Sequence, residues 1–305
     1  MKKAEAKEII DCLPRGNTPF WYFRDRYALL LVSMLGDPIS KRDIKSSPHA
    51  QLLDKAVVKS VLRDFPGKPV PRDAFHLAVR GTPICYSLTL DIWGSDHSQW
   101  MQTTRRGFSL VLQLNFPREH NRIYRSLIDP EGKLPSYFDN HPVALARNIT
   151  IAWSRMDVDL DNAEVLIEEI QSDWMRCWAS ARQRVKRVGS TLWVGDIVVR
   201  KEDAIRYCDI ELSQHTHWPE IMLSASIWFI RNELGIRRVF YHTHESGAAL
   251  KRTGFSKPPR SLYTQLPAKF CFRVTDDRPA FMQGRIRTNC SKKVVAASKF
   301  QLLEL

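Results

Sequence analysis

Residues 149–171 are the most informative stretch of this chain for its fold, and they read ITIAWSRMDVDLDNAEVLIEEIQ. Apolar residues alternate with polar ones and β-branched residues are frequent, which is typical of β-strands. Asp161 and Asn162 interrupt the alternation and favour a turn. We therefore predict a β-hairpin formed by residues 149–160 and 164–171.

The sequence on either side of this hairpin predicts an α+β fold. Strand-like alternation recurs upstream at 84–93 and 108–116. Downstream, Ser172 or Asp173 can begin a helix over 174–188, and Pro219 lies in the first turn of another. We predict further strands at 193–199, 205–213, 238–243 and near 270–274, and a helix at about 246–252. These elements define a mixed α/β sheet domain over 81–305 that ends in a basic C-terminal tail.

Residues 1–80 are predicted to form a helical, basic N-terminal region. Apolar spacing predicts one helix over 27–35, a second after Ser40 and a third at about 50–65. Three short helices followed by β-prone sequence is the element order of a winged helix-turn-helix domain. Lys55, Lys59 and Arg63 recur every four residues, so they share a helix face that can meet phosphate groups. The alternative is a plain helical subdomain with a solvated basic face.

The net charge is +13, and it is concentrated at the two ends of the chain. Residues 1–80 hold 15 Lys and Arg against 9 Asp and Glu, and residues 250–305 hold 12 against 3. Such a distribution predicts contact with a polyanion, above all a nucleic acid, although a basic surface can also serve solubility alone. The predicted helix 174–188 adds five candidate nucleic-acid-binding residues, Arg176, Arg182, Arg184, Lys186 and Arg187.

Several classes of protein do not fit the sequence. No apolar run approaches the length of about 18 residues that a membrane span needs, and no apolar segment follows Lys2 and Lys3 as in a signal peptide. We expect a cytoplasmic protein without a membrane partner. The six cysteines are isolated and form no C-x-x-C pair, so no zinc site is predicted. They are expected to be free thiols, mostly buried.

Polar residues gather at the predicted ends of three strands. If strands 165–171, 205–213 and 238–243 are parallel neighbours, their carboxyl ends share one edge of the sheet, where ligands of open α/β sheets bind. A cleft of carboxylates and imidazoles suits general acid–base catalysis and can also hold a divalent metal. The alternative is a set of structural polar caps. The candidate catalytic residues are Glu169, Gln171, Asp173, His215, His242, His244 and Glu245.

The common catalytic and nucleotide-binding motifs are absent. The chain contains no G-x-G, no G-x-x-x-x-G-K-[ST], no G-x-S-x-G and no H-E-x-x-H. No cofactor can therefore be named from the sequence, and whether the protein is an enzyme stays open.

The hexamer Glu169-Ile170-Gln171-Ser172-Asp173-Trp174 resembles a motif of a domain found in very large polyvalent proteins of phages and mobile elements. In that domain a basic helix follows the hexamer, and then come a W-x-E at the start of the next helix and a strand. Here Trp218-Pro219-Glu220 and residues 238–243 lie at the matching places. The resemblance covers roughly 160–250 and implies a mobile-element setting without implying an activity.

A second resemblance is to the GNAT acyltransferase fold. Hairpin, helix, strand and helix follow in the order of that fold, and residues 245–255, which end in Gly254-Phe255, resemble its late helix. The [RQ]-x-x-G-x-[GA] turn with which these enzymes bind coenzyme A is missing. This resemblance implies a transferase acting on a protein, an aminoacyl-tRNA or a small amine, with Glu169, His242 or Tyr263 as the base.

Three functional hypotheses follow from the sequence. The first is a nucleic-acid-binding protein of a phage or mobile element that modifies its ligand at the strand-end cleft. The second is the GNAT-like acyltransferase. The third is a non-catalytic partner of another protein, such as an antitoxin, an adaptor or an inhibitor.

Overall fold

The computed structural model describes residues 1–12, 18–95, 103–105, 107–132, 141–143, 149–251, 259–282, 294 and 297–305. An eight-stranded mixed sheet forms its centre, in the strand order β1-β2-β3-β4-β5-β8-β10-β9. The strands are β1 (Thr18–Tyr22), β2 (Ile84–Ser95), β3 (Gly107–Asn115), β4 (Thr150–Asp159), β5 (Glu164–Gln171), β8 (Arg238–His242), β9 (Arg273–Thr275) and β10 (Phe300–Glu304). The α+β class predicted from the sequence is confirmed.

A separate two-stranded hairpin is formed by β6 (Thr191–Val194) and β7 (Ile197–Arg200). The helices of the described residues are α1 (Lys3–Cys12), α2 (Arg26–Ser33), α3 (Lys41–Ser46), α4 (Ala56–Arg63), α5 (Arg72–Leu77), α6 (Arg118–Leu127), α7 (Asp173–Arg184), α8 (Lys201–Arg206), α9 (Trp218–Asn232), α10 (His244–Lys251) and α11 (Gln265–Lys269).

The hairpin predicted for residues 149–171 is the antiparallel pair β4 and β5. On one face of the sheet, alternate residues such as Leu112, Met156 and Val165 join a large apolar core that also includes helix α9. On the other face, a smaller apolar cluster surrounds Leu166 and Phe240. Both faces of these central strands are therefore covered, and the charged residues within them are withdrawn from water.

The N-terminal region contains the predicted helices, but it is not wholly helical. Strand β1 lies within it and pairs with β2 as an edge of the main sheet, from Thr18 opposite Leu88 to Tyr22 opposite Ile84. The β-prone sequence after α5 is therefore strand β2 of the central sheet and does not form the wing of a winged helix.

The C-terminal part of the chain corrects the prediction of a basic tail. Residues Phe300–Glu304 form strand β10, which pairs with β8 on one side and β9 on the other. Phe300 and Leu303 are buried, so this strand belongs to the core. Residues 283–293 and 295–296, which contribute much of the predicted tail, lie outside the described residues.

Candidate functional site: a buried charged cluster and an exposed basic hairpin

Of the three strands predicted to end at one edge of the sheet, two are parallel neighbours in the structure. Strands β5 and β8 are parallel neighbours, with Glu164 opposite Arg238 and Ile167 opposite Tyr241. The prediction of a strand at 205–213 is wrong, because this segment continues α8 through a π-helical turn (Tyr207–Glu211) and a 3₁₀ turn (Leu212–His215). Its buried residues Ala204, Tyr207 and Leu212 recur at helical spacing, and His215 therefore does not lie at a strand end.

Five ionisable residues meet where β5 and β8 stop pairing, and we call them the charged cluster: Arg155, Glu168, Glu169, His242 and Lys251. All five side chains are buried. Arg155 pairs with Glu169 and Met156 with Ile167, so Glu168 is the extra residue of a β-bulge. A bulge interrupts the alternation of side chains along a strand. This interruption is how two consecutive glutamates can both bond within one cluster.

Lys251, the last residue of α10, donates to strand β5 beyond the point where β5 stops pairing with β8. Its Nζ donates to the backbone carbonyl of Glu168 at 3.0 Å and to Oε2 of Glu169 at 3.2 Å. Arg155 Nη2 donates to the same Glu169 oxygen at 2.7 Å. The Lys251 ammonium group thus provides a hydrogen-bond donor for the carbonyl of Glu168, which lies beyond the last residues paired between β5 and β8.

Glu168 is held by hydrogen bonds from Thr104 and His242. The backbone N–H and the hydroxyl of Thr104 each donate to its carboxylate at 2.9 Å. His242 Nε2 lies 3.1 Å from Oε2 of Glu168, and His242 Nδ1 lies 3.1 Å from the hydroxyl of Ser246. Because a carboxylate only accepts, these partners assign the imidazole proton to Nε2.

The environment drives the pKa values of two neighbouring carboxyls apart. Burial acts to raise the pKa of Glu168, yet the hydrogen bond from His242 and the charges of Lys251 and Arg155 lower it to about 2. Burial raises the pKa of Asp157 to about 6, against the opposing charge of Arg105. Burial also lowers the pKa of His242, in spite of the adjacent Glu168. Burial lowers the pKa of Lys251 as well, against the opposing charge of Glu169.

Ser246, His242 and Glu168 follow the serine–imidazole–carboxylate order of a hydrolase triad. The Ser246 oxygen, however, also accepts from the backbone N–H of Thr243 at 3.0 Å, as part of the cap of α10. Ser246 is only 2% exposed and His242 is fully buried. In this conformation the arrangement is closed to solvent and holds helix α10 against the sheet.

Asp173 and Gln171 form a separate polar group. The buried carboxylate of Asp173 accepts from Trp153 Nε1 at 2.9 Å, from Arg176 Nη2 at 2.5 Å and from Gln171 Nε2. The hydroxyl of Ser172 caps helix α7 by accepting a hydrogen bond from a backbone N–H of that helix. The side chain of Asp173 thus occupies the N-terminus of α7, where it is held by these three donors.

His215 lies in an aromatic cluster that it shares with Tyr86, Phe116 and His120. Its Nδ1 lies 2.7 Å from the hydroxyl of Tyr86, and its ring packs edge-on against Phe116. Burial lowers the pKa of His215 to about 4. Such a neutral, enclosed imidazole serves packing.

The last two candidates lie at the start of α10. His244 is half-buried against the ring of Tyr263, and the exposed Glu245 lies 3.9 Å from Arg260. Of the seven candidate catalytic residues, only Glu169 and His242 belong to the charged cluster, while Gln171 and Asp173 contact each other outside it. The structure adds Arg155, Glu168 and Lys251, which the sequence analysis missed.

Most of the predicted nucleic-acid-binding residues already have partners. Lys55 pairs with Asp25 at 3.2 Å, and Lys59 pairs with Asp54 at 3.3 Å. Arg63 Nε donates to a backbone carbonyl of α4. Arg176 pairs with Asp173, and Arg182 makes two hydrogen bonds to Asp209.

Three predicted cations, Arg184, Lys186 and Arg187, are exposed and make no ion pair with any described residue. They follow one another at the end of α7 and in the 3₁₀ turn Val185–Arg187. Strand β6 of the hairpin packs against α7.

The hairpin, whose strand β6 packs against α7, presents an apolar outer face. Trp193 is 61% exposed and lies opposite Val198, which is 50% exposed. The inward residues Leu192 and Val199 are buried, which fixes the face on which the tryptophan lies. We call Arg184, Lys186, Arg187, Trp193 and Val198 the hairpin surface. The prediction of a single strand at 193–199 is wrong, because a turn at Gly195 divides this segment into the two strands of the hairpin.

The residues that carry the polyvalent-protein resemblance make structural contacts. Trp174 is buried and its Nε1 donates to the hydroxyl of Tyr207 at 2.9 Å. Glu220 accepts from the hydroxyl of Tyr22 at 2.5 Å and from Lys269. Of the segment 245–255, which resembles the acyltransferase helix, residues 252–255 lie outside the described residues.

Comparison with family models, with curated proteins and with solved structures finds no match for this chain. None of the helices in the described ranges combines the length and the apolar character needed to cross a bilayer. A search of the same residues finds no group of three or more His, Cys, Asp or Glu side chains placed to hold a metal ion.

Proposed function

We propose that this protein binds single-stranded nucleic acid through the hairpin surface. The observation that carries the proposal is the exposed Trp193 on a hairpin whose first strand packs against α7, together with three exposed cations at and just after the end of that helix. These cations make no ion pair within the described part of the chain. Proteins that bind single strands combine aromatic rings, on which bases stack, with cations that contact the phosphates. The net charge of +13 adds a long-range attraction for any polyanion.

A single strand fits this surface better than a duplex. The flat indole of Trp193 needs an unstacked base as its partner, and bases within a duplex are already stacked. The hairpin surface contains no buried polar donors arranged to read base edges. We therefore expect binding with little sequence preference.

The test is the affinity for a fluorescently labelled oligothymidylate at low salt, compared between the wild type and Trp193→Ala. Loss of base stacking should weaken binding by about 1–3 kcal/mol, which is roughly 5- to 150-fold. Val274→Ala is the control, because Val274 is also exposed, at 64%, but lies on strand β9 of the main sheet, away from both proposed sites. The proposal fails if the two variants bind alike, or if the wild type binds no oligonucleotide at about 50 mM salt.

Modification of the bound nucleic acid at the charged cluster remains a hypothesis. It requires the closed cluster to open, and it predicts that Glu168→Gln abolishes turnover while binding at the hairpin surface is unchanged. The acyltransferase alternative requires acetyl coenzyme A to bind where β5 and β8 stop pairing and Lys251 donates to the carbonyl of Glu168. Calorimetry with millimolar acetyl coenzyme A tests it, and an absence of heat would remove this alternative.

A further inference from the structure

A second candidate site, distinct from the hairpin surface, is a cavity of about 120 Å³ beside the edge strand β1. Its wall is largely aromatic, with Phe20, Tyr22, Phe75 and Trp228 contributed by β1, α5 and α9. Cavities of roughly 150 Å³ can hold a benzene ring. At about 120 Å³ and open to solvent on one side, this cavity is close to that size and can take up a single aromatic ring that remains partly exposed.

Arg26 gives this aromatic cavity a positive charge. Its guanidinium lies 5.7 Å from the centre of the Phe20 ring, and the residue is half-buried at the start of α2. Within the described part of the chain its side chain forms no ion pair or hydrogen bond. Burial lowers its pKa, which reflects the cost of holding this charge away from water.

The neighbouring cations show that Arg26 differs from its surroundings. Lys55 lies 3.2 Å from Asp25, and Lys269 contacts both Asp25 and Glu220. The two lysines thus pair with these carboxylates. The N–H groups of the Arg26 guanidinium have no acceptor among the described residues, so they are available to a ligand. A guanidinium offers paired N–H groups that match a carboxylate or a phosphate.

We propose that the cavity binds a small molecule in which one aromatic ring lies next to an oxyanion. The ring packs against Phe20 and Trp228, and the oxyanion accepts hydrogen bonds from Arg26. Carboxylates and phosphates share this chemistry. The exposed side chains of Trp21 and His76 in the cavity wall leave the site open to solvent.

The first experiment uses the wild-type protein and four probes in ligand-observed NMR and calorimetry. Benzoate and phenyl phosphate carry both the ring and the oxyanion, benzamide lacks the charge, and acetate lacks the ring. We expect both anionic aromatics to bind at least tenfold more tightly than benzamide or acetate, since a charge-assisted hydrogen bond contributes roughly tenfold or more. The tighter of the two identifies the preferred oxyanion. Equal binding of benzamide and benzoate, or no binding of either anion at millimolar concentration, would overturn the proposal.

The second experiment compares Arg26→Gln with Arg24→Gln, which removes an exposed arginine two residues away. Arg26→Gln should weaken benzoate and phenyl phosphate by roughly tenfold or more and leave benzamide unchanged, whereas Arg24→Gln should bind all four probes like the wild type. A thermal unfolding curve checks that each variant is folded. Equal loss in both variants would show a general effect of charge and contradict a site at Arg26. Oligonucleotide binding should be unaffected by Arg26→Gln, so this proposal and the one for the hairpin surface can fail separately.

Discussion

The cations of the charged cluster and those of the hairpin surface have opposite surroundings. Arg155 and Lys251 are buried, and both donate to the carboxylate of Glu169. Arg184, Lys186 and Arg187 are exposed and have no carboxylate partner among the described residues. A charge inside a protein must be compensated there, whereas an exposed charge is hydrated and stays available to a ligand. The net charge of a chain therefore says less about its ligands than the share of that charge that remains unpaired.

The largest effect expected from this contrast is that of Lys251→Met. Removing the ammonium leaves the buried carboxylate of Glu169 with one cation fewer and the carbonyl of Glu168 without its donor. Breaking a buried ion pair costs about 3–5 kcal/mol. We expect the free energy of unfolding, measured in urea, to fall by this amount.

Lys59→Met is the matched control, because Lys59 makes an exposed ion pair with Asp54. Exposed pairs contribute about 1 kcal/mol or less, so this variant should unfold almost like the wild type. The double variant Glu169→Gln with Lys251→Met should be less stable than Lys251→Met alone, because it also removes the carboxylate with which buried Arg155 pairs. Equal losses in the two lysine variants would contradict the contrast between buried and exposed cations.

A smaller effect is expected from pH. The pKa of His215 falls from 6.5 to about 4 on folding because of burial. When the pH lies between these two pKa values, His215 is protonated in the unfolded chain and neutral in the folded protein. The free energy of unfolding therefore falls as the pH decreases. His215 alone should account for roughly 2–3 kcal/mol of the loss between pH 7.5 and pH 4.5. Urea unfolding at the two pH values measures it.

His215→Gln should reduce that loss, while His217→Gln, which removes an exposed histidine two residues later, should leave it unchanged. Part of the loss will persist in His215→Gln, because burial also lowers the pKa of His49 to about 4 and that of His120 to about 3. An identical dependence on pH in the wild type and His215→Gln would contradict the enclosed position of this ring.

The smallest effect on folding, and a clear one on binding, is expected when Arg184, Lys186 and Arg187 are all changed to Gln. Each phosphate contact on a single strand contributes about 0.7 to the slope of log affinity against log salt. The triple variant should therefore lose about 2 from this slope, with stability close to that of the wild type. Arg182→Gln is the control, since Arg182 is already paired with Asp209. An unchanged slope in the triple variant would remove these residues from the interface.

The sequence was sufficient to predict the β4–β5 hairpin, because alternation and the turn residues Asp161 and Asn162 are local signals. It was not sufficient to predict the charged cluster. Lys251 comes from a helix far along the chain, and the bulge that brings Glu168 and Glu169 together depends on the register of β4 and β5. The prediction of a strand at 205–213 is wrong. A short apolar run fits both the two-residue period of a strand and the 3.6-residue period of a helix, and only packing in the folded protein decides between them.

The basic residues show a similar division. The sequence identifies which side chains are cationic, and helical spacing places Lys55 and Lys59 on one face. Their partners Asp25 and Asp54 become neighbours only after folding or through local turns. Trp193 was missed because an exposed aromatic and a buried one look alike in a short alternating segment.

Strand β10 has a consequence for how the molecule is made. It lies between β8 and β9, although both precede it in the chain. Among the strands that the structure describes, β9 pairs only with β10, and β8 pairs only with β10 and β5. During synthesis β9 therefore lacks this neighbour until residues 300–304 leave the ribosome. The ladder on this side of the protein must therefore close late, and ribosome-bound chains stopped before residue 300 should be far more sensitive to proteases than released ones.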